Sequence, residues 1–98
     1  MKPAVYHRLA ESDLVSSARF YEQRREFLGV NFLDLIEETL AKIQAKPDLG
    51  KPGVFGTRSR KMRRFPFRIV YLDEPAHIWI VAVAHLSRKP DYWLGRLD

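Results

Sequence analysis

The sequence predicts an α+β fold: a twisted antiparallel β-sheet with an N-terminal helical hairpin packed on one face. Three observations predict it. Two apolar segments rich in β-branched and aromatic residues, Phe67 to Leu72 and Ile78 to His85, flank the turn-forming connection Asp73-Glu74-Pro75-Ala76-His77, the pattern of a hairpin of buried strands. A run crowded with arginine (Arg58, Arg60, Lys61, Arg63, Arg64) leads straight into that hairpin and supplies a third, basic strand. The N-terminal half instead repeats its apolar residues at helical spacing.

In chain order, Pro3 to Leu9 carries Val5, Tyr6 and Leu9 and reads as a short first strand. From Ser12 to Arg25, the residues Leu14, Ala18 and Tyr21, joined by Val15, form one apolar stripe, with Ser12 or Asp13 as the N-terminal cap. Glu26-Phe27-Leu28-Gly29 interrupts this helix. Phe32, Leu35, Ile36, Leu40 and Ile43 then recur at three- and four-residue steps until Pro47 stops the pattern. So short a break makes the two helices antiparallel neighbours. Pro47 to Gly53 has the chemistry of consecutive turns and carries the chain to the sheet. Pro66 marks a bend where the ladder loses a donor. Pro90 opens a final helical turn whose Trp93 and Leu97 fall back on the core. The 98 residues are expected to form one domain with one modest core.

Composition narrows the function. There is no cysteine, which excludes a disulfide scaffold, a thiolate nucleophile and cysteine metal sites. No apolar stretch approaches the length of about 20 residues needed to span a bilayer, and no export signal is evident, so a cytoplasmic protein without membrane contact is expected. Residues 1–57 hold eight basic and eight acidic residues, whereas 58–98 hold nine basic and four acidic, so the whole net charge of +5 lies in the second part. No acid occurs between Lys51 and Leu72. Such a surface calls for an acidic partner, nucleic acid or an acidic protein segment. Its plainer role is to block edge pairing of a strand.

No phosphate-cradling glycine loop, dinucleotide fingerprint or zinc-ligand spacing is present, and neither a metal nor a cofactor is expected. The remaining chemistry is a group of arginines, a histidine and a tyrosine at one end of the sheet. Arg68 lies between apolar neighbours, so it either projects from a half-covered face or pairs with an acid such as Asp91. A guanidinium there can stabilise charge on a scissile phosphate, with His85 as acid or base. The structural alternative is that His85 merely caps a strand end.

The order of elements, with Arg63-Arg64-Phe65-Pro66-Phe67-Arg68-Ile69-Val70-Tyr71, Val81-Ala82-Val83-Ala84-His85 and Arg88-Lys89-Pro90-Asp91-Tyr92-Trp93, resembles the RelE/ParE superfamily of toxins from type II toxin-antitoxin modules, often labelled plasmid stabilisation proteins. The resemblance covers nearly the whole chain. It implies growth inhibition relieved by a small, acidic, partly disordered antitoxin, through one of two targets: DNA gyrase in ParE-like members or mRNA on the ribosome in RelE-like members. Arg68, His85 and Tyr92 are the catalytic set under RNA cleavage. Leu86 stands where RelE-like nucleases carry a further arginine, so the ParE-like branch is favoured and the chain is expected not to be an enzyme. A nucleic-acid-binding module without toxicity is a third possibility. Contact with target or nucleic acid is expected from Arg58, Arg60, Lys61, Arg63, Arg64, Arg88 and Lys89. The antitoxin is expected to lay an amphipathic helix along a groove formed by Leu14, Ala18, Tyr21, Phe32, Ile36 and Leu40, with its acidic remainder running toward Arg58 to Arg64.

Overall fold

In the computed structural model, which describes residues 1–97, the apolar segments form the antiparallel hairpin β4 (Phe67–Asp73) and β5 (Ile78–His85). The basic run pairs with it as β3 (Arg58–Lys61), and β2 (Lys51–Pro52) lies at that edge. The N-terminal strand β1 (Ala4–Tyr6) closes the other edge, giving the order β1-β5-β4-β3-β2. Here the sheet departs from the expected pattern, because β1 runs parallel to β5, with Ala4 opposite Ile78 and Tyr6 opposite Ile80. Alternation of apolar residues fixes a face but not a direction, and no local turn joins these two strands. The architecture is an α+β fold with a mixed sheet.

Two helices cover one face. Helix α1 (Arg8–Arg24) starts four residues before the expected boundary, capped by His7, whose Nδ1 accepts from the Leu9 N–H at 2.9 Å. The first strand is correspondingly shorter than expected, and Asp13 becomes a mid-helix residue rather than a cap. Helix α2 (Leu28–Ala45) begins after a turn in which Phe27 is left-handed at φ 68°. Its free N-terminal amides are met from α1: Glu22 accepts from Phe27 N–H at 2.9 Å and Gly29 N–H at 3.0 Å, a carboxylate at the positive end of the helix. Gly29 is required by packing, since a Cβ there would sit 2.6 Å from the Ala18 carbonyl.

The sheet's residues divide by face. Phe67, Ile69, Tyr71, Ile78, Ile80 and Val83 meet Ala10, Phe32, Ile36, Leu40 and Ile43 in the main core. Val70, Val81, Ala82 and Ala84 line the opposite face under Trp93. A bulge makes both sets possible: Val70 pairs with Ala82 but Tyr71 with Ile80, which leaves Val81 as the extra residue. Two successive residues, Val81 and Ala82, thereby share one face. Residues 86–97 run over that far face as a strap ending in a 3-10 turn at Leu94–Arg96, with Trp93 buried and Leu97 packed beside it.

Candidate functional site

Directly opposed residues of an antiparallel pair lie on one face, so the register determines which bases meet. Lys61 is opposite Arg68, which is opposite Ala84; Ser59 is opposite both Val70 and Lys51. All of these belong to the far face, away from the helices. Together with the strap they line a hollow of about 490 Å³ bearing Lys51, Arg58, Lys61, Arg68, Arg88 and Lys89, with Asp91 as the one acid. Among the described residues none of these six bases forms an ion pair. Arg68 is half-buried and does not pair with Asp91.

The roof of the hollow is fixed from the helical layer. Asp13 of α1 receives Arg96 in a two-pronged contact, 2.8 Å to Oδ2 and 3.2 Å to Oδ1, together with the Val83 N–H at 3.1 Å and the Tyr92 hydroxyl at 3.2 Å. Arg96 also donates to the Val81 carbonyl at 2.9 Å. The Tyr92 ring has the Arg88 guanidinium 3.8 Å from its centroid and that of Arg96 at 5.2 Å. Burial, and then the charge of Asp13, push the Tyr92 phenol up to about 12. Tyr92 is therefore a neutral donor already engaged by a carboxylate.

His85 sits where the hollow meets a second, smaller cavity lined by Phe20, Tyr21 and Phe67. Its ring packs edge-on to Phe67 at 5.0 Å, and its Nδ1 accepts from the Ser87 N–H at 3.0 Å. A ring nitrogen that accepts carries no proton, so in the neutral imidazole the proton is on Nε2. That tautomer serves as a donor. Acting as a base at Nε2 requires the proton to move or the Ser87 contact to break.

The structure thus brings Arg58, Lys61, Arg88 and Lys89 together with Arg68, and His85 and Tyr92 border the same space. It separates the others. Arg60 shares the helical face with Ile69, Arg64 sits in the β3–β4 turn at φ 68°, and Arg63 is clamped by Glu38 at 3.0 and 3.1 Å. That hydrogen bond, then the Arg63 charge, hold the Glu38 carboxyl below its usual range. Strand alternation puts Lys61 on the far face but Arg58 and Arg60, opposite Tyr71 and Ile69, on the other, with Arg58 still reaching the lining of the hollow, so the run does not act as one patch. Lys51, which opens the run, belongs to the hollow and was missed because β2 is too short for any periodicity to show.

The expected antitoxin groove needs a correction. Phe32, Ile36 and Leu40 are buried at 0, 1 and 4% exposure, and Leu14, Ala18 and Tyr21 pack against the same core. The apolar stripe of each helix faces the sheet, as amphipathic helices on a sheet must. The large apolar groups that the hairpin exposes are instead Leu9, Val15, Phe20, Phe27, Val30 and Leu33.

A helical hairpin on one face of a sheet, with a strapped hollow lined by basic side chains on the other, defines the class of small α+β domain to which the comparisons assign the chain. The model of the ParE toxin of the type II toxin-antitoxin system, parDE, matches residues 4–90, and the chain belongs to that family. In structure it is similar to a chain of the chromosomal ParDE toxin-antitoxin system from P. aeruginosa, with a TM-score of 0.71 and 20% sequence identity over 89% of this chain and 98% of that one. No curated protein matches it in sequence. Membership in a ParDE system implies an antitoxin partner. No helix among the described residues is long and apolar enough to cross a membrane.

Proposed function

We propose that the chain arrests bacterial growth by acting on DNA gyrase and is held inactive by its cognate antitoxin. The observation that supports gyrase over RNA cleavage is the engagement of the acid–base candidates. The Tyr92 hydroxyl is bound to Asp13 and the His85 Nδ1 to Ser87 N–H, and Leu86 offers no guanidinium. The second reading, mRNA cleavage on the ribosome, draws on the convergence of Arg68, His85 and Arg88 on one hollow. For the antitoxin, the exposed Val30 and Leu33, one turn apart on α2, are the contacts an amphipathic helix would use, in place of the buried stripe.

The test is direct. Purified toxin is expected to inhibit gyrase supercoiling and to leave mRNA on translating ribosomes intact, with antitoxin abolishing the inhibition. Cleavage of ribosome-bound mRNA without any effect on gyrase reverses the assignment.

A further inference from the structure

Resting on the gyrase reading and extending it to the DNA, we propose that the far-face hollow grips the phosphate backbone of duplex DNA. The register carries the argument. Like charges directly opposite each other destabilise a sheet, yet Lys61 faces Arg68 across β3 and β4, and Lys51 stands on the same face one strand further out. On β3 the side chain between Lys51 and Val70 is the small Ser59, and on β5 Arg68 is flanked by the small Ala84, which leaves a floor that a larger anion can reach. Two strand spacings separate β2 from β4, about 10 Å, so the bases are spread for more than one charge and the ligand is a polyanion.

The roof selects the form of nucleic acid. Arg88 is stacked on Tyr92, which Asp13 pins in place, so the guanidinium is held over the hollow. Single strands are gripped by stacking bases on free aromatic faces. The aromatic rings of the hollow are taken up within the protein: Trp93 is 7% exposed, the Arg88 and Arg96 guanidinium groups lie 3.8 and 5.2 Å from the Tyr92 ring centroid, and the His85 ring packs against Phe67. What the hollow presents in excess is cations, six bases against the one acid Asp91.

The experiment measures binding of a short fluorescein-labelled DNA duplex by anisotropy across a salt series, without gyrase. If the five bases Lys51, Lys61, Arg68, Arg88 and Lys89 each neutralise a phosphate, log affinity should fall against log salt with a slope of about −4.5. The double variant Lys61→Ser/Arg68→Gln should make the slope shallower by about 2 and weaken binding roughly 60-fold at about 0.1 M salt. The charge-matched variant Arg63→Ser/Arg64→Ser, outside the hollow, should leave the slope unchanged. Circular dichroism of both confirms folding, and Lys61→Ser/Lys89→Ser, at two exposed residues, repeats the test should the Arg68 variant unfold. Equal losses in the two charge-matched variants, no duplex binding, preference for single-stranded DNA or RNA, or equal competition by poly-glutamate would each overturn the proposal. Gyrase inhibition by a native chain that does not bind duplex leaves the gyrase reading standing and removes this one. Duplex binding without gyrase inhibition does the opposite.

Discussion

Replacing Arg96 with methionine keeps most of the side chain's apolar stem and removes its guanidinium, which isolates what the Asp13–Arg96 pair does. The two side chains are 13% and 11% exposed, far from the solvated regime in which ion pairs contribute almost nothing. Breaking a buried pair costs about 3–5 kcal/mol because the surviving charge is stranded. Here Asp13 keeps two donors, Val83 N–H and the Tyr92 hydroxyl, which lowers the expected loss to about 2–3 kcal/mol. For a chain of this size that corresponds to a fall in Tm of roughly 10–15 °C. Thermal and urea unfolding measure it, and a red shift in tryptophan emission before global unfolding reports release of Trp93 with the strap. Adding Asp13→Asn to Arg96→Met removes the stranded charge and should recover at least about 1 kcal/mol. A loss below about 0.5 kcal/mol for Arg96→Met, or no recovery in the double variant, would refute the reasoning and reduce the pair to a screened surface contact.

Two further substitutions test the packing and the phenols. At Gly50 an added Cβ would overlap the Tyr71 hydroxyl, which donates to the Pro47 carbonyl at 2.6 Å; Gly50→Ala should therefore cost about 1–3 kcal/mol in urea unfolding, with partial recovery in Gly50→Ala/Tyr71→Phe. Burial, followed by the charges of Glu37 and Glu11, pushes the Tyr6 phenol up to about 12 from 10.0. A raised phenol favours the neutral form in the folded state, so its contribution to stability is intact below pH 10.0 and is lost as pH rises toward about 12. The Tyr6 hydroxyl is buried without a hydrogen bond to the described residues, so Tyr6→Phe should leave Tm at pH 7 nearly unchanged and soften the alkaline loss. Tyr92→Phe should soften that loss too but lower Tm at pH 7, because it removes the bond to Asp13.

What the sequence made legible was whatever a local pattern specifies. The β4–β5 hairpin was readable from β-branched residues and turn formers, and α2 from its apolar steps ending at Pro47. The start of α1 was not, because its cap is a histidine ring nitrogen, and Ser12 and Asp13 look like better caps than His7. The direction of β1 was invisible for want of a turn joining it to β5. At the site, the run Arg58 to Arg64 was readable as charge, but dividing it between two faces required the register with β4. The role of Asp13 was hidden most completely, since its partners Val83, Tyr92 and Arg96 lie 70 to 83 residues away.

That placement has a physical origin in the shortness of β1. Its pairing with β5 ends at Ile80, whose carbonyl accepts the His7 N–H at 2.9 Å, and past that point β5 has no strand on that side. Unpaired backbone groups at a sheet edge must find other partners if water is kept away. The Val81 carbonyl is met by Arg96 and the Val83 N–H by Asp13, so an ion pair between helix and strap takes the place of a strand. Had α1 begun at Ser12, Asp13 would lie at the helix end with its carboxylate turned to the free amides of the first turn. Starting at Arg8 instead puts Asp13 in the second turn, against the open edge of β5. The early helix start, the short edge strand and the pinned roof of the basic hollow are thus consequences of one another, and Asp13 is the residue through which the helical layer fixes the face on the far side of the sheet.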